Sequence, residues 1–415
     1  VSKHTQEMID FEDLLDNGKI YENKKHVLMN ESFIDFRNVN FVKKVTIKDN
    51  KFFYDEEEFI FFSSENEPRL LNKVRFEITD STFEDKFYLT ENIPNQMMLS
   101  NCDFNDVRLS DMDIKANDKF DDKLRIYNCN MKHLWIEHCQ FDIPISIITS
   151  SHLKTIIEEL YISDVVFKKI FYVQSYTINC IDMLDNTFEA DFKVIYSYLY
   201  NQISVHNCKF EEVISFQETD CYAQLDFQKS QFKSHTIFDN TKLHDGINLD
   251  YVIFSAIVNF WGLKNLDTKE SFKNTSLESY RMIRNQFEKL GNNFEANKYH
   301  SLELAKARKT RSSFLDYIVL WFHFISSNHS QNWLLSLIWI AIVGIITAFS
   351  LSDFSFIEYR NFFTKSFLNE SFKYISIINL DETIKAHPIL FVFNKASLGY
   401  LYYQFLNAIR KNTKR

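Results

Sequence analysis

DNTF at 185–188, NCKF at 207–210 and KSQF at 229–232 repeat one phrase: a turn-forming or polar residue, a small residue, a polar residue and a phenylalanine. Working outward, the phrase is written NVNF at 38–41, DSTF at 80–83 and NCDF at 101–104, then NCNM at 128–131 and HCQF at 138–141. Phe167, Phe188, Phe210, Phe232 and Phe254 follow one another at spacings of 21, 22, 22 and 22 residues. A fixed period of that length is the mark of a solenoid. A helical repeat would need two apolar stripes at 3.6-residue spacing. The chain instead offers VISF, YISDVVF, QISVHN and YVIFSAIVNF, in which β-branched and aromatic residues alternate with polar ones. The expected fold is therefore mainly β, a parallel β-helix over 30–263, with roughly ten coils stacked about 4.8 Å apart.

Composition agrees with a repeated aromatic position. The 415 residues include 42 Phe but only 6 Gly and 4 Pro. The net charge of −9 argues against nucleic acid as a partner, because phosphate binding needs excess Lys and Arg. Residues 1–29 place Phe11, Leu14 and Leu15 close together and are expected to cap the open end of the strands. No apolar core of an export signal is found there, and the six Cys show no pairing pattern, so a reducing compartment is expected.

The phrase resembles the pentapeptide-repeat family, in which a small residue two positions before a central Leu or Phe points inward beside it. The resemblance implies a right-handed β-helix. Between Phe41 and Phe83 the register is lost in YDEEEFIFFSSENEPRLLNKV. Cys102, Cys129, Cys139 and Cys208 fall two residues before the phrase's last residue, where other coils have Val39, Ser81, Val165 and Ser230. They are expected to be small inward fillers. A metal site from His133, His138 and Cys139 is the sharper alternative, but no CxxC or HxxxH spacing completes it, and neither a metal nor a cofactor is expected.

After Leu263 the period changes from 2 to 3.6. Residues 264–311 read as a helical hairpin hinged at Gly291 and Asn292. Ser276 and Ser279 are candidate caps; Tyr280, Ile283, Phe287 and Leu290, then Phe294, Tyr299, Leu302 and Ala305, are the apolar faces. Glu295 with Lys298, and Glu303 with Lys306, are helix-spaced pairs. This stretch resembles the linker between β-helix and membrane segments in pentapeptide-repeat membrane proteins.

Residues 333–351, WLLSLIWIAIVGIITAFSL, carry no charge and are long enough to cross a bilayer as a helix. Before them, 312–332 reads as an interfacial amphipathic segment with Trp321 and Trp333 at headgroup level. After them come an extracytoplasmic loop at 352–387, a second candidate span at 388–409 and a basic tail at 410–415. The second span carries Asn394, Ser397, Gln404 and Asn407 on one helical face, the candidate pore lining, which should meet a water path or another helix. The competing reading of 388–409 is a helix lying on the membrane surface. Lys395 is a candidate charge at the outer mouth. Arg308, Lys309 and Arg311 before the membrane region, and Arg410 and Lys411 after it, act as interface anchors and place both termini in the cytoplasm.

The ending resembles a two-helix channel-like module, though no TVGYG-type filter occurs in 352–387. No GxxxxGK, GxSxG or HExxH motif occurs, so an enzyme is not expected. The leading expectation is a homo-oligomeric pore in a bacterial inner membrane, whose cytosolic β-helix senses or docks a protein partner or trigger. By analogy it fits a membrane-disrupting effector in anti-phage defence. The alternative is a β-helix scaffold that its helices merely tether.

Overall fold

The computed structural model describes residues 8–15, 25, 27–29, 33–48, 51–59, 75–91, 96–114, 123–150, 155–310, 313–351, 365–378 and 382–413. The chain forms two compact units, 1–279 and 280–415.

The first unit is a parallel β-solenoid with three walls, of 10, 15 and 7 strands in the described residues. The register is direct from coil to coil: Phe141 pairs with Phe167, Phe167 with Phe188, Phe188 with Phe210, and Phe210 with Phe232. Their rings stack 4.8 Å apart between Phe167 and Phe188 and 4.9 Å apart between Phe188 and Phe210, each pair tilted by 6°. Burying each Phe is worth about 2 to 3 kcal/mol. Stacking adds about 0.5 to 1.5 kcal/mol per pair.

The repeated phrase marks two different corners, not one. At 38–41, 80–83, 101–104 and 128–131 it leads into the second wall, and from 138–141 onward into the third. Its first residue is left-handed in every case, with φ between 50° and 62° for Asn38, Asp80, Asn101, Asn128, His138, Asp164, Asp185, Asn207, Lys229 and Tyr251. Asn and Asp adopt this conformation at little cost, which is how the chain turns its corners with so few glycines. The corner side chains also bond along the rod: Asn101 Nδ2 donates to Asp80 at 3.1 Å and Asn128 Nδ2 to Asn101 at 3.1 Å.

Cys102, Cys129, Cys139 and Cys208 are free thiols and buried, and Val39, Ser81, Val165 and Ser230 are buried in the same slot. Burial pushes the Cys139 thiol up to about 12 and the Cys208 thiol to about 11, so both stay neutral. The slot is more than an apolar filler. Its side chain accepts the backbone N–H of the preceding coil: Val39 N donates to Ser81 Oγ at 3.2 Å, Val165 N to Asn186 Oδ1 at 3.0 Å, and Cys208 N to Ser230 Oγ at 3.1 Å. A corner takes one N–H out of the ladder, and this hydroxyl or amide replaces the lost partner.

About seven full turns form, not ten, because several early coils exceed 22 residues and the YDEEEF stretch leaves the ladder. Phe41 stacks directly on Phe83 at 4.6 Å and Val45–Lys48 pairs in parallel with Phe87–Thr90, while Lys51–Tyr54 and Glu57–Phe59 fold back antiparallel on it. Helix α1 (Phe11–Leu15) closes this end, with the Phe11 ring 5.0 Å from Phe41 and 4.8 Å from Tyr54. At the other end, α2 (Lys269–Asn274) lies over Gly246, where a Cβ would stand 2.7 Å from Ser271 O. Thr275 Oγ1 and Ser279 Oγ accept from Ile247 N at 3.2 Å and Leu249 N at 2.8 Å, so the last coil offers fewer free donors for edge pairing.

The hairpin follows as α3 (Leu277–Lys289) and α4 (Asn293–Thr310), with Gly291 at φ 72° between them. Ser276 is the cap, accepting from Ser279 N at 3.0 Å. Tyr280, Ile283 and Phe287 are buried, but Leu290 and Phe294 are exposed. The buried face of α4 is Ala296, Tyr299, Glu303 and Ala307, not the expected Phe294, Leu302 and Ala305. Glu303 turns inward because Arg281 at 3.1 Å and Arg284 neutralise it, instead of pairing with Lys306.

Among the described residues the second unit continues with α5 (Phe314–Ser327), α6 (Trp333–Leu351), α7 (Lys365–Lys373) and, after a four-residue helix at Glu382–Lys385, α8 (Pro388–Thr413). Among the described residues only α6 is long and apolar enough to cross a membrane.

Candidate functional site

α6 and α8 run antiparallel. Thr347 meets Asn394 near one end, Ile340 packs with Leu398 and Leu401 midway, and the Trp333 ring lies 6.2 Å from Phe405 at the other. α6 contributes one polar group to this contact, Thr347 Oγ1, which accepts from Asn394 Nδ2 at 2.9 Å; the rest is apolar packing.

The segment after α7 folds back between these two helices. Gly344, the one glycine of α6, makes room for it: a Cβ there would stand 2.9 Å from Ser371 O and 2.6 Å from Ile375 Cγ1. Three successive carbonyls then accept from α8, Tyr374 O from Asn394 Nδ2 at 3.2 Å, Ile375 O from Tyr402 Oη at 3.3 Å and Ser376 O from Lys395 Nζ at 2.9 Å. At 1.5 Å per residue, Gly344 lies about 10 Å in from the Leu351 end of α6 and Tyr402 about 21 Å in from Pro388. Residues 371–376 of the expected outer loop therefore pack against α6 and α8 about 10 Å or more in from their ends.

At the other end, the turn joining α5 to α6 has three consecutive left-handed residues, Asn328, His329 and Ser330, with φ of 47°, 55° and 65°. Non-glycine residues pay for that conformation, so the packing around them must hold it. Ser327 Oγ donates to Gln404 Oε1 at 3.1 Å, Asn407 Nδ2 donates to Ser330 Oγ at 3.1 Å, and Ser326 Oγ lies 3.2 Å from Tyr400 Oη. His329 is 1% exposed and its Nδ1 is 3.0 Å from His323 Nδ1. Burial, then the neighbouring His323 and Arg308, lower its pKa to about 3, so the ring is neutral.

Of the expected pore residues, Asn394 and Gln404 are fully buried against α6 and this turn, while Ser397 and Asn407 are partly exposed. Of the two neighbours expected for that stripe, another helix is the one found within a single chain. The outward face of α8 is apolar: Val392, Phe393, Tyr403 and Leu406 are exposed, with Ala396 and Gly399 between them. Trp321 and Trp333 are exposed, as are Phe314, Leu315, Val319 and Phe322 on α5. The Arg308 guanidinium lies 3.9 Å over the Phe324 ring, Lys309 and Arg410 are exposed, and Lys411 O accepts from Asn297. Arg311 lies outside the described residues. His133 and His138 pair with Glu159 at 2.9 Å and Asp164 at 3.1 Å, and among the described residues no group of three or more ligand side chains could hold a metal.

Sequence reasoning missed Gly344, His329 and the 374–376 turn. A lone glycine in an apolar helix was the available signal for close approach. No protein-family model matches this chain, and neither does any curated protein or solved structure.

Proposed function

We propose that the chain is one subunit of a homo-oligomeric, channel-like protein of a bacterial inner membrane, carrying a right-handed β-helix on the cytoplasmic side with both termini. The supporting observation is the segment 371–376 packed against α6 and α8 about 10 Å or more in from their ends, held by Asn394, Tyr402 and Lys395. Irregular backbone at that depth is tolerated where it is buried in protein or lines a water-filled cavity, and a short helix plus turn between two long helices is how re-entrant segments are built. With its polar stripe occupied inside the chain, α8 would offer Ala396, Gly399, Tyr403 and Leu406 to the oligomer axis, a narrow apolar constriction that gates by dewetting. Ser397 and Asn407 flank that face, and Lys395 guards the inserted turn. The β-helix is the domain that senses a partner or trigger, and membrane disruption in anti-phage defence is the biological role this build fits. No enzymatic step is part of the proposal.

Conductance of the purified chain in planar bilayers tests it. The wild type should pass current under some trigger, and Gly344→Leu, which leaves no room for Ile375, should abolish or strongly alter it while the β-helix stays folded. A wild type that never conducts overturns the reading. A second reading, a β-helix tethered as a scaffold, is favoured by the closure of Asn394 and Gln404 within one chain. It requires that residues 313–413 be replaceable by an unrelated anchor without loss of cellular effect.

A further inference from the structure

The long second wall changes character at Tyr198–His206. There the register slips between Ile178 and Cys180, so that Tyr200 and Asn201 together oppose Asn179. In the next two coils the wall is cut into pairs of two-residue strands, Asp220–Cys221 with Leu225–Asp226, then Lys242–Leu243 with Ile247–Asn248. A flat wall thus becomes a corner, and a cleft of about 540 Å³ opens on the outside of the rod where the two geometries meet. One side is an aromatic stack: Tyr200 on Tyr222 at 4.7 Å and Tyr222 on His244 at 4.6 Å, tilted by 5° and 4°. Tyr200 and Tyr222 follow the inward Leu199 and Cys221 and so point outward by alternation, and the bulge adds one more outward residue before Ile203 turns in again.

We infer that this cleft binds a neutral, hydroxyl-rich ligand, a sugar unit. Among the residues lining it are Gln202, Gln224, Asp226 and Asp245, with the Tyr200 and Tyr222 edges, and no Lys or Arg. The lack of Lys and Arg, with the lining imidazole of His206 turned to Asp226, disfavours phosphate and nucleotides, and the polar walls disfavour lipid tails. A divalent cation is disfavoured because the carboxylates are already engaged. Asp226 takes His206 Nε2 at 3.1 Å and the N–H of Gln228 at 3.0 Å, and Asp245 accepts from Asn274. Gln224 Nε2 donates to Asn274 O at 2.7 Å, so what is left is the Gln202 amide, the Gln224 carbonyl oxygen, the two tyrosine hydroxyls and one Asp245 oxygen, donors beside acceptors, as vicinal hydroxyls require. The edges of the stacked Tyr200 and Tyr222 rings give that side of the cleft an apolar strip for the C–H face of a pyranose. The stack and the bulge are a rigid strand platform, which holds such groups without an ordering cost on binding.

The inference does not rest on conduction. Saturation-transfer NMR and titration calorimetry of the full chain in detergent, against glucose, galactose, N-acetylglucosamine and maltose, test it directly. At least one sugar should bind, Gln202→Ala should weaken it about fivefold by removing one hydrogen-bonding amide, and Tyr200→Ala should weaken it further. Both side chains are exposed, and unchanged melting of the variants verifies that they fold. Absence of binding at tens of millimolar sugar, equal binding by both variants, or capture of calcium or tetramethylammonium in place of any sugar would each overturn it.

Discussion

At the residue scale, the corner slot is where a single side chain decides most. Asn186 is 1% exposed, accepts Val165 N at 3.0 Å and donates to Ile162 O at 2.8 Å, so it ties its own coil to the preceding one at two points. Replacing it by Ala leaves both backbone groups unpaired in the core and should cost about 2 to 3 kcal/mol, read from denaturant unfolding of the β-helix. His329 and its neighbour His323, both held below the ordinary imidazole value by burial, give the helical unit a pH dependence, and His329 is the further lowered. Its folded pKa, about 3, lies below the ordinary 6.5, so the unfolded chain binds the proton more readily. The stabilising effect of a neutral ring is therefore complete above about pH 6.5 and is lost progressively as pH falls toward 3. Melting temperature in detergent should drop between pH 7 and pH 5, and His329→Gln should flatten that dependence. A profile unchanged by the substitution would mean that other groups carry it.

At the element scale, the phenylalanine ladder is the main source of cohesion in the solenoid. Phe188 is fully buried and touches Phe167, Phe192 and Phe210 at 4.8, 4.9 and 4.9 Å. Phe188→Ala should cost about 3 to 5 kcal/mol and Phe188→Leu less than about 1.5, because Leu conserves most of the volume. Chemical denaturation measures both, and equal losses would show that stacking, not volume, dominates. The ladder was legible from spacing alone, because in-register parallel strands bring equal positions together. The corners were not legible in the same way. NCDF and NCKF are near-identical phrases at different corners, and only the length of strand before each one sorts them.

For the whole molecule, the proposal requires assembly, because α6 and α8 of one chain cannot enclose a pore. Mass measurement in detergent should give a closed oligomer, and Tyr403→Asp, which puts a charge on the exposed face of α8, should dissociate or open it without melting the β-helix. A monodisperse monomer at membrane-like concentrations would leave only the tethered scaffold.

Sequence alone determined the solenoid, its period, the inward slot and the apolar helix at Trp333–Leu351, since these are set by local periodicity and by the length of an uncharged run. Tertiary structure decided the rest: the count of about seven turns, the hairpin set aside between Phe41 and Phe83, the inward turn of Glu303 and the direction in which Asn394 and Gln404 point. The physical reason is the same in each case. Periodicity says that a polar stripe needs partners, but whether those partners are water, a neighbouring chain or a folded-back turn depends on contacts between residues far apart in the chain, such as Gly344 with Ile375 and Asn394 with Tyr374.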